Sequence, residues 1–506
     1  MATERRRRVY HWGVPAVLAL VASLTRLIGL GHPRELVFDE TFYVKDGWSL
    51  WNLGYSATWP DDANTGFTQG LVDTYSQTGS YVVHPPLGKW LIGLGMALGG
   101  AENSLSWRLA TAIVGILAVL LLFLIAKRLF QSTLLGGIAG LLLAIDGNAI
   151  VMSRVALLDN FVMFFALLGF GAVLLDRSWT QRKLDTWVER RLDARLDLHW
   201  PPVFWARPWL FAAGVAFGLT ASVKWSGLYF LAGFAIYTLV ADALARRRAG
   251  IVYWPMTIPL QGIASFVLTV PIAGAVYLAS WASWFTTSGG YGRHWAEAAG
   301  NAATGILSWV PLSVQSLWHY QQSVYAYHVG EMRPHSYQAN PLSWLFMVRP
   351  TSMFYQDAQA GQLGCAVEHC GSSITGIANP LIWWAATAAL VYLVYLLIRR
   401  RDWRAGLILM GMAAGYLPWL LYLNRTVFQF YTIAFEPYLL LGLTMAIGAL
   451  LGSRDDPPER RASGMLVVGI FLVAAIGISV FFWPLWTGMQ IDYEWLKLHW
   501  WLPTWR

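Results

Sequence analysis

The chain has 506 residues, enough for three or four soluble domains at roughly 100–200 residues each. The composition excludes that: 56% of residues are hydrophobic and only 13% are charged, too few to cover a water-soluble surface of this size. A net charge of +8 fits Lys and Arg marking cytoplasmic membrane loops and not a nucleic-acid partner, and two Cys without a long polar tract exclude a disulfide scaffold and disorder. The 29 Trp suit a chain that repeatedly meets a bilayer surface. These features predict an all-α polytopic membrane protein, one integral domain over 1–506, with no internal repeat.

Four arginines, Arg5–Arg8, precede an apolar run over about 14–31 and hold the N-terminus in the cytoplasm. A cleaved signal peptide is the alternative, but the run ends in GLGHPREL without a small-residue cleavage site. Further apolar runs cover 107–126, 133–152, 156–175, 208–221, 226–244, 255–279, 380–398, 405–422, 429–451 and 464–483. With the first they predict about eleven transmembrane helices, 208–221 being the shortest. The stretch 86–100 is apolar but only fifteen residues long, so a re-entrant or interfacial helix is expected there. Charge bias agrees. If 86–100 does not cross, the segments then assigned to the cytoplasm carry 23 of the 36 Lys and Arg. If it crossed, every later basic cluster would fall outside. The C-terminus is then outside too. Loop 176–207 reads as cytoplasmic, with a short helix in TWVERRLDARLDL.

Two large outer segments remain, 32–106 and 280–379, both expected to carry interfacial helices. The tail 484–506 holds six Trp and Tyr and is expected to lie along the interface. In the first segment, Asp39 and Glu40 follow the first span and open a helix containing Phe42, Tyr43, Trp48 and Trp51. The plain reading of Asp39 is a helix cap and dipole partner. The other is chemistry, because cations gather at the same depth. His84 and Lys89 lie in HPPLGKW, Arg108 begins the second span, and Arg154 lies with Asp159 in SRVALLDN. Lys224 joins spans five and six, and Arg425 sits in the turn NRTVFQFY. Each alone could be an interface anchor. Together, carboxylates and cations at headgroup depth suggest chemistry on a lipid phosphate. The second outer segment holds His335, Tyr337, Trp344 and Arg349 but no nucleophile-elbow motif. Cys365 and Cys370, outside the cytoplasm, are expected to pair; zinc is the alternative, but with His369 they make a poor site.

FDET, HPPLGKW, SRVALLDN, SVKWSGL, HSYQANPLSW and NPLIWW, in this order and spread over nearly the whole chain, resemble the protein O-mannosyltransferases of glycosyltransferase family 39. The resemblance implies the C-type glycosyltransferase fold, with eleven spans and the N-terminus inside. Eukaryotic members carry a large luminal domain in the second outer segment. Here that segment has about 100 residues, which resembles the bacterial, actinobacterial-type branch. The implied reaction moves mannose from polyprenyl-phosphate-mannose to Ser or Thr hydroxyls of secreted or membrane polypeptides, on the outer face of the plasma membrane. Asp39 would be the base and Glu40 its support. His84, Lys89, Arg108, Arg154, Lys224 and Arg425 would hold donor phosphate or sugar, Arg108 foremost. His335, Tyr337 and Trp344 would contact acceptor or donor.

The chemistry is consistent with this. A hydroxyl near neutral pH needs a base within reach. A phosphate ester leaves without a general acid, so one carboxylate and nearby cations suffice for inverting displacement at the sugar C1. A glycoside hydrolase needs two separated carboxyl groups, which adjacent residues do not provide. No Asp-x-Asp pair appears, so no metal and no cofactor beyond the lipid donor is expected. Membrane lipids and the secretion translocon are the other expected partners. Two rivals exist. One is a related transferase with a lipid or glycan acceptor, such as the aminoarabinose transferases, which share the early carboxylate and a prolyl-prolyl segment. The other is a transporter or flippase, for which Asp146 inside span three is the lone hint.

Overall fold

The computed structural model describes the backbone of residues 2–453 and 455–506, and side chains from His11 onward; the side chains of the Arg5–Arg8 cluster lie outside the described residues. In chain order the helices begin with α1 (Ala2–Leu27), then α2 (Glu40–Leu53), α3 (Ala63–Thr68) and α4 (Leu87–Gly99) in the first outer segment. α5 (Ser104–Phe130), α6 (Thr133–Ile145), α7 (Gly147–Arg154), α8 (Asp159–Asp193), α9 (Pro208–Val223), α10 (Gly227–Arg248) and α11 (Thr257–Ser280) follow. The second outer segment contains α12 (Ala282–Thr286), α13 (Leu312–Gly330), β1 (Ser352–Gln359) and β2 (His369–Thr375). The chain closes with α14 (Pro380–Arg400), α15 (Trp403–Tyr416), α16 (Glu436–Leu451), α17 (Pro458–Thr487), β3 (Ile491–Asp492) and α18 (Tyr493–Lys497).

Among the described residues, seven helices are long and apolar enough to cross a membrane. α6 and α7, bent by 59°, make an eighth if read as one broken span. His11–Leu27, α4, α9 and α16 are apolar but shorter. The expected uninterrupted run 133–152 is therefore broken. Buried Asp146 sits at the break and accepts the Asn148 N–H (2.9 Å), so its side chain replaces the missing helical partner. The short cytoplasmic helix expected after residue 175 is instead the end of α8. No Gly or Pro interrupts 176–193, and Leu184 is buried, so one helix of 35 residues runs through. The run 429–451 also differs: Gln429–Ala434 is a 3-10 turn and the α-helix starts only at Glu436.

α4 does not span. It lies against α2 at a crossing of two glycines. A Cβ on Gly47 would sit 2.8 Å from the Lys89 carbonyl, and one on Gly93 2.7 Å from the Gly47 carbonyl. The outer segments also hold a small sheet that the sequence reading did not anticipate. β1 and β2 form an antiparallel hairpin, and β3 from the tail adds to β2 through Cys370 opposite Asp492. Cys365 and Cys370 are joined at this hairpin with Cα atoms 5.8 Å apart. The tail is thus docked on the rest of the chain. Trp501 remains 43% exposed, but Trp505 is buried and donates to the Met347 carbonyl (2.7 Å), and Arg349 holds the carbonyls of Thr504 and Arg506.

Candidate active site

The two adjacent carboxylates do different things. Successive helical residues point about 100° apart, so Asp39 and Glu40 diverge. Glu40 is fully buried. Its Oε1 accepts from Arg108 Nε and the Ala156 N–H (both 2.8 Å), and its Oε2 from Arg108 Nη2 (2.8 Å) and the Val37 N–H (3.0 Å). Arg108 spends its remaining donors on the carbonyls of Leu30 (3.3 Å), Pro33 (2.8 Å) and Glu35 (3.0 Å). This buried bidentate pair ties the first outer segment to α5. This differs from the expectation for both residues: Arg108 has no donor left for a phosphate, and Glu40 braces Arg108 and the backbone instead of supporting Asp39.

Asp39 occupies the cap position of α2, yet its side chain makes no capping bond. The plain reading as a helix cap therefore fails. Phe38, just before it, has a φ of 48°, a left-handed conformation that bulky residues rarely adopt. Edge contacts of the Phe38 ring with His335, Phe428 and Phe430 hold it there. Strain at one residue thus aims the next. Among the described residues the half-buried Asp39 carboxylate accepts only from the Tyr43 hydroxyl, at 3.4 Å. Burial pushes its carboxyl up to about 6, partly offset by Lys224 and reinforced by Asp159.

Those two residues belong to a neighbouring cavity of about 110 Å³, walled by His84, Asp159, Lys224, Trp225, His328, Arg425 and Tyr431. It lies where the N-terminal ends of α8 and α10 meet the C-terminal ends of α13 and α15. Lys224 Nζ donates to Asp159 Oδ2 (2.7 Å) and lies 5.0 Å from the Tyr431 ring centre. Arg425 Nη2 donates to His328 Nδ1 (3.0 Å), whose Nε2 faces the Val83 carbonyl (2.8 Å) and so carries the proton. His84 stacks on His328, ring centres 5.2 Å apart, and meets Tyr43 at 6.1 Å. Burial, with Arg425 adding, pushes His328 down to about 4; burial and Lys224 hold His84 well below its ordinary value. Both imidazoles are therefore neutral. Arg425 Nε and His84 Nδ1 have no hydrogen-bond partner among the described residues.

Of the expected residues, the fold brings together Asp39, His84, Lys224 and Arg425. It takes others elsewhere. Arg154 turns toward the C-terminal end of α1 and binds the carbonyls of Ile28 (2.7 Å) and Gly29 (3.0 Å). Lys89 is buried against Asp46 (3.5 Å) and lines a smaller cavity that shares only the His84 wall. Trp344 is fully buried, its indole donating to the Ala339 carbonyl (3.0 Å). Tyr337 lies under Arg349, and exposed His335 touches the Phe38 ring, next to Asp39 but not in the cavity. Asp159, His328, Tyr43 and Tyr431 are additions. Asp159 was visible in SRVALLDN; His328 lies in no motif. Among the described residues no group of three or more His, Cys, Asp or Glu could hold a metal ion.

Comparison with known proteins agrees with this architecture. Residues 83–188 match the model of the dolichyl-phosphate-mannose-protein mannosyltransferases, and 313–505 that of the C-terminal four-span region of protein O-mannosyltransferase. A polyprenol-phosphate-mannose–protein mannosyltransferase of Mycolicibacterium smegmatis is 34% identical, covering 99% of this chain and 94% of its own. Its counterparts in Mycobacterium tuberculosis (33%; 99% and 92%) and Corynebacterium glutamicum (31%; 99% and 94%) are similar over the same extent. In fold, the chain resembles the protein O-mannosyltransferase Pmt1–Pmt2 complex of S. cerevisiae bound to the sugar donor, with a TM-score of 0.69, 14% identity, and 97% and 92% of the two chains covered. The archaeal oligosaccharyltransferase AglB of Archaeoglobus fulgidus follows at 0.52, 14% identity, 97% and 57% covered. The helical membrane scaffold is thus that of the C-type glycosyltransferases, and the chain belongs to the protein O-mannosyltransferase family.

Proposed function

We propose that the protein transfers mannose from polyprenyl-phosphate-mannose to Ser or Thr hydroxyls of secreted or membrane polypeptides, with Asp39 as base. The observation that carries this reading is an uncapped carboxylate, raised to about 6, beside a cavity with two cations. The acceptor oxygen attacks C1 of mannose while the bond from C1 to the phosphate oxygen breaks. The hydroxyl proton passes to Asp39, and polyprenyl phosphate leaves as the anion, so the sugar configuration inverts. Lys224 and Arg425 offset charge on the leaving phosphate. His84 and the Tyr43 hydroxyl line the path between base and cations.

The site faces away from the cytoplasm, in a plasma-membrane protein whose N-terminus is inside; what supports this is the density of arginines at the opposite helix ends. A cleft this narrow favours an unfolded acceptor, such as a chain leaving the secretion translocon. Incubating membranes that contain the protein with labelled polyprenyl-phosphate-mannose and a Thr- and Pro-rich peptide tests the reading. Label in the peptide, released as mannose by β-elimination, is the expected result. Label found only in glycolipid would overturn it in favour of a lipid or glycan acceptor.

A further inference from the structure

The helices that carry the active site at one end carry a second concavity at the other. α5 runs from Arg108 to Arg128 and α8 from Asp159 to Arg182, each roughly 30 Å of helix. At the far end two adjoining hollows, of about 650 and about 500 Å³, share Arg128, Ser178 and Trp403. Arg128, Arg177, Arg182, Arg248 and Arg400 converge there from four helices. Two acids lie beside five arginines: Asp402 is paired with Arg404 (2.6 Å), and Asp185 accepts from Gln181 (2.8 Å) and pairs with no arginine among the described residues, so the positive charge is in excess. Among the described residues Arg128, Arg182, Arg248 and Arg400 form no ion pair, while Arg177 is held over the Trp403 ring at 4.4 Å. The wall is apolar in part, with Leu129 and Leu174.

The geometry points to a binding site for an anionic phospholipid headgroup in the leaflet opposite the active site. Positive charge scattered over loops would orient the chain without forming a hollow. Here guanidinium groups from four helices surround a space of headgroup size at the depth where helices leave the bilayer. Arg pairs with phosphate bidentately, and Trp403 suits the interface beside it. The apolar wall suits an amphiphile better than a free anion.

The full-length protein in detergent is titrated with phosphatidylglycerol and, separately, phosphatidylcholine, and retained lipid is counted by native mass spectrometry. Phosphatidylglycerol should be preferred, and the variant Arg128→Gln/Arg182→Gln/Arg248→Gln should lose about five-fold in affinity per arginine. A control, Arg190→Gln/Arg191→Gln/Arg195→Gln, removes equal charge from the end of α8 and the turn after it, outside the hollow, and should keep the preference. Equal loss in both variants would overturn the proposal, because it would mean diffuse attraction. So would no preference in the unaltered protein. A third arm uses inorganic phosphate alone. Phosphate that binds the unaltered protein as tightly as the lipid does would replace the lipid with a soluble anion and overturn the lipid assignment. Chromatographic profile and melting temperature of both variants establish folding without reference to transfer activity.

Discussion

Replacing Asp39 by Asn separates catalysis from stability in opposite directions. Burial moves this carboxyl from 3.8 to about 6, so its ionised form costs up to roughly 3 kcal/mol against a solvated carboxylate. Partial exposure and screening reduce that upper bound. The sign follows from a folded value above the unfolded one: the contribution to stability is whole below about pH 4 and lost as pH rises through about 6. Asn carries no such penalty, so at pH 7.5 the variant should melt at the same temperature or higher. Catalysis should fall about 100- to 10,000-fold, the usual loss for a general base. In the unaltered protein, kcat/KM should drop about tenfold per pH unit below about 6, because only the ionised carboxylate accepts the proton. The assay is peptide mannosylation in proteoliposomes across pH 4.5–8, beside a melting curve of each protein in detergent. Transfer retained by the variant would refute the base. A large drop in melting temperature would refute the claim that Asp39 is spared structural duty.

Other outcomes follow from the same geometry. Glu40→Gln and Arg108→Ala should each destabilise the chain by about 3–5 kcal/mol, because each leaves a buried partner charge unpaired; a folded Arg108→Ala protein with only a raised donor KM would contradict this. Arg425→Ala should lower kcat by about 100- to 1,000-fold while leaving the melting temperature nearly unchanged, if its charge acts on the leaving phosphate. His328→Ala frees the Arg425 guanidinium, so transfer should weaken without moving the acid midpoint set by Asp39; a shifted midpoint in a pH series would show that His328 itself titrates there. Gly47→Ala should push α2 from α4, costing about 1–3 kcal/mol of stability and measurable as a lower melting temperature.

Apolar runs and basic loops locate most helices, because a bilayer leaves few other ways to satisfy a backbone. Where the reading differs, the cause is local. One polar residue, Asp146, breaks a span that hydropathy averages over. α8 outlasts its apolar stretch because nothing in 176–193 stops a helix. Charge scarcity drew attention to Asp39, Lys224 and Arg425, and they meet. It drew equal attention to Glu40, Arg108 and Arg154, since charge counts do not distinguish a reactive group from a buried brace. Only side-chain direction does, and adjacent residues such as Asp39 and Glu40 can differ completely. His328 reaches the cavity from a segment with no short-range pattern, and Tyr431, though it ends the NRTVFQFY turn, is placed there by tertiary folding alone.

The docking of β3 on β2 bears on the order of biosynthesis. β3 follows α17, so β2 leaves the ribosome more than a hundred residues before its second partner exists. The same holds for Met347 and Arg349, whose contacts are supplied by the final residues. The contacts that close over β2, Met347 and Arg349 therefore form only after α17 has been made. A nascent chain that stops before Gly488 has all the groups that line the cavity and none of this closure, so the cavity walls are complete before these contacts form.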